Sequence, residues 1–317
     1  MLIREIYIWS TAIFISYLLI LIAFNVTGPD YVSYTNAADL SLFSNFFKSK
    51  EIISWFIIDS FSKMNSGIEH LGLKIFSSIL FSFMFLSSYE LIKEEVVNNK
   101  YKNTSASAIK LIVYLLTFFV CLTPYVNLLA LSALRQGLAM ILLILTIILI
   151  SKNKTKLSFI SFFLAILCHN SVLIFLPLFI FNIFNGYKTR FLLIFFAFLS
   201  YLFISFIIPY QPSVDNDNRI IYAIFSIFCL SIFFINKKNY SGIDLLLITS
   251  IILTLPFFNL ESYYDRLGLY SAFFGSILVS KKIINTRPRT IGLIIAIMAI
   301  FFSFFVVSTV TYPPLIA

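Results

Sequence analysis

ALRQGLAMILLILTIILISKNKTKLSFISFFLAILCHNS, residues 133–171, places an arginine and a histidine at the two far ends of a pair of apolar runs. Between the runs stand Lys152, Lys154 and Lys156. A membrane span needs about 20 mostly apolar residues, with about 17 to 25 tolerated, and the run through Arg135 is long enough. The chain is expected to cross, turn at the lysines and return. At a rise of 1.5 Å per residue, Arg135 stands about 22 Å above the lysine end and His169 about 18 Å above it. In a hydrocarbon core about 30 Å thick, Arg135 lies in the third farthest from the lysines and His169 at its rim. A charge in mid-membrane costs from about 3 to over 10 kcal/mol, so Arg135 needs a partner or an aqueous cavity.

Composition sets the solvent for this reading. The 317 residues are 60% hydrophobic and 12% charged, with a mean hydropathy of +0.97. A soluble domain does not have this balance; a polytopic, all-α membrane bundle does. The net charge of +9 does not point to nucleic acid, because the lysines sit in short loops between apolar runs. Cys121, Cys168 and Cys229 fall in apolar runs without metal-like spacing, and no metal or cofactor is expected. The first apolar run lacks a small-residue cleavage site and reads as a retained span.

Candidate spans are 5–26, 69–92, 108–124, 127–150, 157–172, 171–187, 190–209, 219–235, 242–258, 266–281 and 290–311. That makes about eleven spans in one integral membrane domain, residues 1–317. Segment 51–62, EIISWFIIDSFS, is too short to cross and reads as an amphipathic or re-entrant piece at the interface. With the N-terminus inside, most of the 23 basic residues fall in cytoplasmic loops, from Lys93 through Lys154 and Lys237 to Lys281, Lys282, Arg287 and Arg289. The loop QPSVDNDN, 211–218, has two acids and no base. The positive-inside rule then places the N-terminus in the cytoplasm and the C-terminus on the periplasmic or external face.

Threaded this way, the outer third gathers more charge. Arg266 and Arg219 come out about 22 and 24 Å above the inner ends of their spans. Asp30 and Tyr31 follow the first span; Glu261, Tyr263, Tyr264 and Asp265 precede Arg266. At the rim, Arg219 and Arg266 also suit snorkelling to headgroups. Arginine makes forked contacts with phosphate and keeps its charge when partly desolvated. A lipid-linked pyrophosphate, with phosphates at the interface and its tail in the bilayer, fits such a layer. Soluble nucleotides are poorly supported: there is no Walker loop and no dinucleotide fingerprint.

Four short motifs follow in order: Gly28-Pro29-Asp30 with Tyr34, Arg135-Gln136 with Ala139, His169-Asn170-Ser171, and Arg266 with Tyr270. Their order and spacing over residues 1–280 resemble the EpsG/Wzy-type polysaccharide polymerases of bacteria. Pro29 departs from the small or hydroxyl residue common there. The resemblance implies a GT-C-like helical fold and a glycosyltransferase of the bacterial inner membrane. It would join oligosaccharide repeat units carried on undecaprenyl pyrophosphate, on the outer face. It also implies membrane lipid, a chain-length regulator and a flippase of the same pathway as partners.

On that reading, Arg135, with Arg266 and Arg219, clamps the pyrophosphate leaving group. Gln136, Glu261, Tyr264 and Tyr270 would complete substrate binding. His169 and Asp30 are both candidates for the base that deprotonates the acceptor hydroxyl. A glycan ligase uses similar chemistry. A flippase fits less well, since the chain has no internal repeat and its cations form one layer. A membrane acyltransferase would suit the histidine but not the arginines.

Overall fold

The computed structural model describes residues 2–27, 31–32, 34–35, 51–64, 67–98, 106–131, 133–178, 219–234, 242–255, 257 and 261–285. Spans 190–209 and 290–311 and most of 171–187 lie outside these, as do the loop 211–218 and Asp30. Among the described residues the protein is all helical. In chain order the elements are α1 (Leu2–Ala23), α2 (Ile52–Ser62), α3 (Leu71–Asn98), α4 (Ala106–Leu122), α5 (Pro124–Leu131), α6 (Leu134–Ser151) and α7 (Thr155–Cys168). A 3-10 turn (Asn170–Phe175), α8 (Arg219–Phe234), α9 (Gly242–Thr254) and α10 (Glu261–Asn285) complete them. Leu71–Lys93 and Leu134–Ser151 are long and apolar enough to cross a membrane.

The helices present grease outward and hydroxyls inward. Leu111, Leu115 and Phe118 on α4, Phe159, Ile160 and Phe163 on α7, and Ile224, Ile227 and Phe228 on α8 are exposed. Ser77, Ser78 and Ser88 on α3, Thr146 on α6 and Ser250 and Thr254 on α9 are fully buried. This arrangement suits lipid, where apolar surface gains nothing by burial and helices associate through small residues and interhelical hydrogen bonds. Two such contacts are on view. Ser82 Oγ donates to the Ser10 carbonyl at 2.9 Å, joining α3 to α1. Ser226 and Ser271 share a hydrogen bond of 2.6 Å between α8 and α10. Beside the latter, a Cβ on Gly275 would sit 2.9 Å from Cys229 Sγ.

α6 and α7 form the hairpin expected from the opening stretch, turning at Lys152-Asn153-Lys154 with Asn153 in the left-handed region (φ 57°). Ser161 Oγ donates to the Leu142 carbonyl at 2.8 Å across the pair. The span expected over 127–150 is, however, two helices. α5 ends at Leu131 and folds back on α6, so that a Cβ on Gly137 would lie 2.2 Å from the Leu129 carbonyl oxygen. That close crossing needs glycine and fixes the first turn of α6, which carries Arg135. Segment 51–62 is helical, as α2, and ends against α3: a Cβ on Gly72 would meet the Phe61 carbonyl at 1.7 Å.

The span expected over 266–281 runs from Glu261 to Asn285. Lys281, read from sequence as a loop lysine, is instead fully buried, with its Nζ 2.7 Å from Asp244 Oδ1. The pair ties the start of α9 to the end of α10. Breaking one side of a buried pair costs about 3–5 kcal/mol, because the other charge stays behind. Asp244→Leu should therefore lower the thermal unfolding midpoint of the detergent-solubilised protein sharply. Asp244→Leu/Lys281→Met should recover most of that loss.

Candidate functional site

Arg135 is the second residue of α6, and its counter-charge is a residue that the sequence reading passed over. Glu51, at the N-cap of α2, leaves its own helix uncapped. Its Oε2 accepts from Arg135 Nη1 at 2.5 Å. Its Oε1 accepts from the Asn170 backbone N–H at 3.3 Å and lies 3.8 Å from His169 Nε2. One carboxylate, only 12% exposed, thus joins the starts of α2, α6 and the 3-10 turn.

Trp55 lies one helical turn along α2 from Glu51, on the same face. The Arg135 guanidinium sits over its ring, 4.8 Å from the centroid. Tyr34 packs edge-on against the same indole, with centroids 5.8 Å apart. Arg135 is 30% exposed along its side chain, and Glu51 takes one of its donors. Its Nε, like Trp55 Nε1, is buried without a hydrogen-bond partner among the described residues. Guanidinium carries five N–H donors, so capacity for a second, forked anion contact remains.

His169 closes α7 with extended backbone (φ −158°, ψ 122°), which turns its ring toward Glu51. Its Nδ1 accepts from the Ser171 backbone N–H at 3.2 Å and lies 2.6 Å from Ser171 Oγ. A backbone N–H can only donate, so Nδ1 is bare and the neutral ring carries its proton on Nε2. His169 therefore shows an N–H, not a lone pair, to Glu51. Ser171 Oγ also lies 3.3 Å from the Tyr270 hydroxyl of α10. The Tyr270 ring is fully buried against Phe175, with centroids 5.5 Å apart.

One described residue of each motif falls in this neighbourhood: Tyr34 against Trp55, Arg135 and His169 beside Glu51, and Tyr270 one step further out, through Ser171. Gln136 is buried beside Arg135. Arg266 and Glu261 fall on α10 ahead of Tyr270, Tyr264 with them, and Arg219 opens α8; the side chains of these four lie outside the described residues. A further cation near this end was also missed. Lys74 is fully buried in the first turn of α3, with Nζ 2.6 Å from Asn25 Oδ1. Glu51 had a signal in the sequence. An arginine in an apolar run needs a partner or water, and Glu51 is one of the few acids between the first span and α3.

A helical bundle with an arginine–carboxylate–histidine cluster at one end of its apolar helices defines a membrane protein with a polar, anion-competent site. The sequence matches the EpsG family over residues 7–315, essentially the whole chain, and the protein belongs to that family. Membership supports a function of polysaccharide-polymerase type, in polysaccharide biosynthesis at a membrane. No curated protein and no solved structure matches the chain.

Proposed function

We propose that the protein is a polysaccharide polymerase that joins repeat units carried on undecaprenyl pyrophosphate, on the outer face of the bacterial cytoplasmic membrane. The observation that carries the reading is Arg135. It is held over Trp55 by a carboxylate, at the end of a span-length apolar helix, with donors to spare. A pyrophosphate at the interface would take those donors, and Arg135 would stabilise the charge that develops on the leaving oxygen. Arg266, one turn before Tyr270 on α10, is the second cation of the clamp, and Tyr264 and Glu261 lie on the same terminal turns. The fold is a GT-C-like bundle of about eleven spans.

Two measurements test this. Purified protein in lipid nanodiscs, given lipid-linked repeat units, should yield a ladder of polymer and free undecaprenyl pyrophosphate. Addition of one unit only would favour a glycan ligase, and no transfer with movement of the lipid across the bilayer a flippase. Topology is the second. Single cysteines at Lys154 and Lys238 should be labelled from the cytoplasm, and one at Asp217 from outside, because lysine-rich loops stay in. Lys154 and Asp217 on one side would overturn the orientation.

A further inference from the structure

We propose that Glu51 is the proton acceptor for the attacking sugar hydroxyl, and that its bond to Arg135 is exchanged for the donor's pyrophosphate when substrate binds. The inference rests on the polymerase reading and assigns the base within it.

Three observations converge on Glu51. Its carboxylate caps nothing of its own helix, although it stands at the N-cap. It is held instead by Arg135, by the Asn170 backbone N–H and near His169 Nε2, groups from two other parts of the chain. Among the described residues it is also the acid nearest the guanidinium that would hold the leaving group. His169 cannot fill the role in this arrangement, because its bare nitrogen is already engaged by Ser171 and its other nitrogen carries the proton.

The exchange follows from charge. A pyrophosphate offers Arg135 more negative charge than one carboxylate and can accept the guanidinium in forked pairs. Arg135 then turns from Glu51 Oε2 to the phosphates. Glu51 Oε2 is then released from its cation and is open to the acceptor hydroxyl. Without donor, the ion pair keeps both charges satisfied.

The acceptor hydroxyl gives its proton to Glu51 Oε2. Its oxygen forms the new bond to the anomeric carbon of the donor sugar. The bond from that carbon to the pyrophosphate oxygen breaks, and its electron pair leaves with undecaprenyl pyrophosphate, held by Arg135. The proton on Glu51 is released to water as Arg135 returns. The Asn170 N–H holds Oε1 throughout, with His169 Nε2 3.8 Å from it, so that Oε2 is the oxygen free to act.

The test separates binding from turnover, with undecaprenyl pyrophosphate as the binding probe. Glu51→Gln should keep or tighten binding of the probe, since the competing carboxylate is gone. It should lower polymer formation from lipid-linked repeat units by about 100-fold or more, the usual scale for losing a general base. Full turnover in Glu51→Gln, or loss of probe binding along with turnover, overturns the proposal. If Glu51→Gln does not yield monodisperse protein, Glu51→Asp decides. Turnover down about tenfold, with probe affinity within about threefold of wild type, supports the base. Turnover unchanged, or turnover and binding both lost, overturns it. Arg135→Ala tests the underlying clamp separately: normal probe binding there removes the clamp, whatever Glu51 does.

Discussion

Arg135→Lys should make less than about one-tenth of the wild-type polymer although the charge is kept, because an ammonium cannot make the forked phosphate contact. The geometry sharpens this expectation. The guanidinium plane lies over Trp55, 4.8 Å from the ring centroid, while one Nη bonds Glu51. A lysine has no plane to stack and no second nitrogen to offer the ligand. It would bond Glu51 as a point charge and leave the indole uncovered. Arg135→Ala should lose activity by about 100-fold or more, the scale of removing one donor to a developing oxyanion. It should also lower the yield of folded protein, since Glu51 would be left largely buried without its cation. Arg135→Ala/Glu51→Gln should then recover yield but not polymer. Polymer length and protein level, measured together in a strain lacking the wild-type chain, check the series. Wild-type polymer in Arg135→Lys would show that only charge matters at this position.

The fold was legible where the physics is local. Apolar run length, with the lysines between the two runs, gave the α6–α7 hairpin. The rise per residue then placed Arg135 and His169 at one depth, and the two do share one carboxylate. What failed was set by contacts distant in sequence. No proline or glycine marks the break at residues 132–133 between α5 and α6. It depends on the close crossing of Leu129 over Gly137, which periodicity does not report. Lys281 looked like a loop lysine because its partner, Asp244, lies on another helix.

Glu51 shows the same limit from the other direction. Judged by its own neighbours it heads a short interfacial helix, and nothing local calls for a role. Judged by the cost of an unpaired arginine in lipid, an acid on that side is one of the two ways to satisfy Arg135, water being the other. The candidates between the first span and α3 were Asp30, Asp39, Glu51, Asp59 and Glu69. Asp59 is held by Lys63 at 2.8 Å, and Glu69 lies 3.5 Å from His70 Nε2. A search for counter-charges, added to the search for stranded cations, brings Glu51 into view.

His169→Gln should retain activity within about tenfold of wild type, while His169→Ala should fall by about 100-fold, and the contrast decides what the histidine does. The sequence left the base open between His169 and Asp30. In the structure Nδ1 accepts from the Ser171 N–H, which leaves the proton of the neutral ring on Nε2, the nitrogen 3.8 Å from Glu51. A glutamine amide can present an N–H near the same place, but it cannot take up a proton at neutral pH. A positioning role is therefore rescued in part by glutamine, and a base is not. Ser171, itself bonded to Tyr270, holds the far side of the ring, so the glutamine variant should lose some precision in that contact, which sets the expected tenfold cost. Binding of undecaprenyl pyrophosphate should stay near wild type in both variants, because neither touches Arg135. The measurement is initial rate of polymer formation by the purified variants, each normalised to folded protein. Equal, near-complete inactivity of His169→Gln and His169→Ala, with donor binding intact, would return the base to His169 and leave Glu51 as the counter-ion of Arg135 alone.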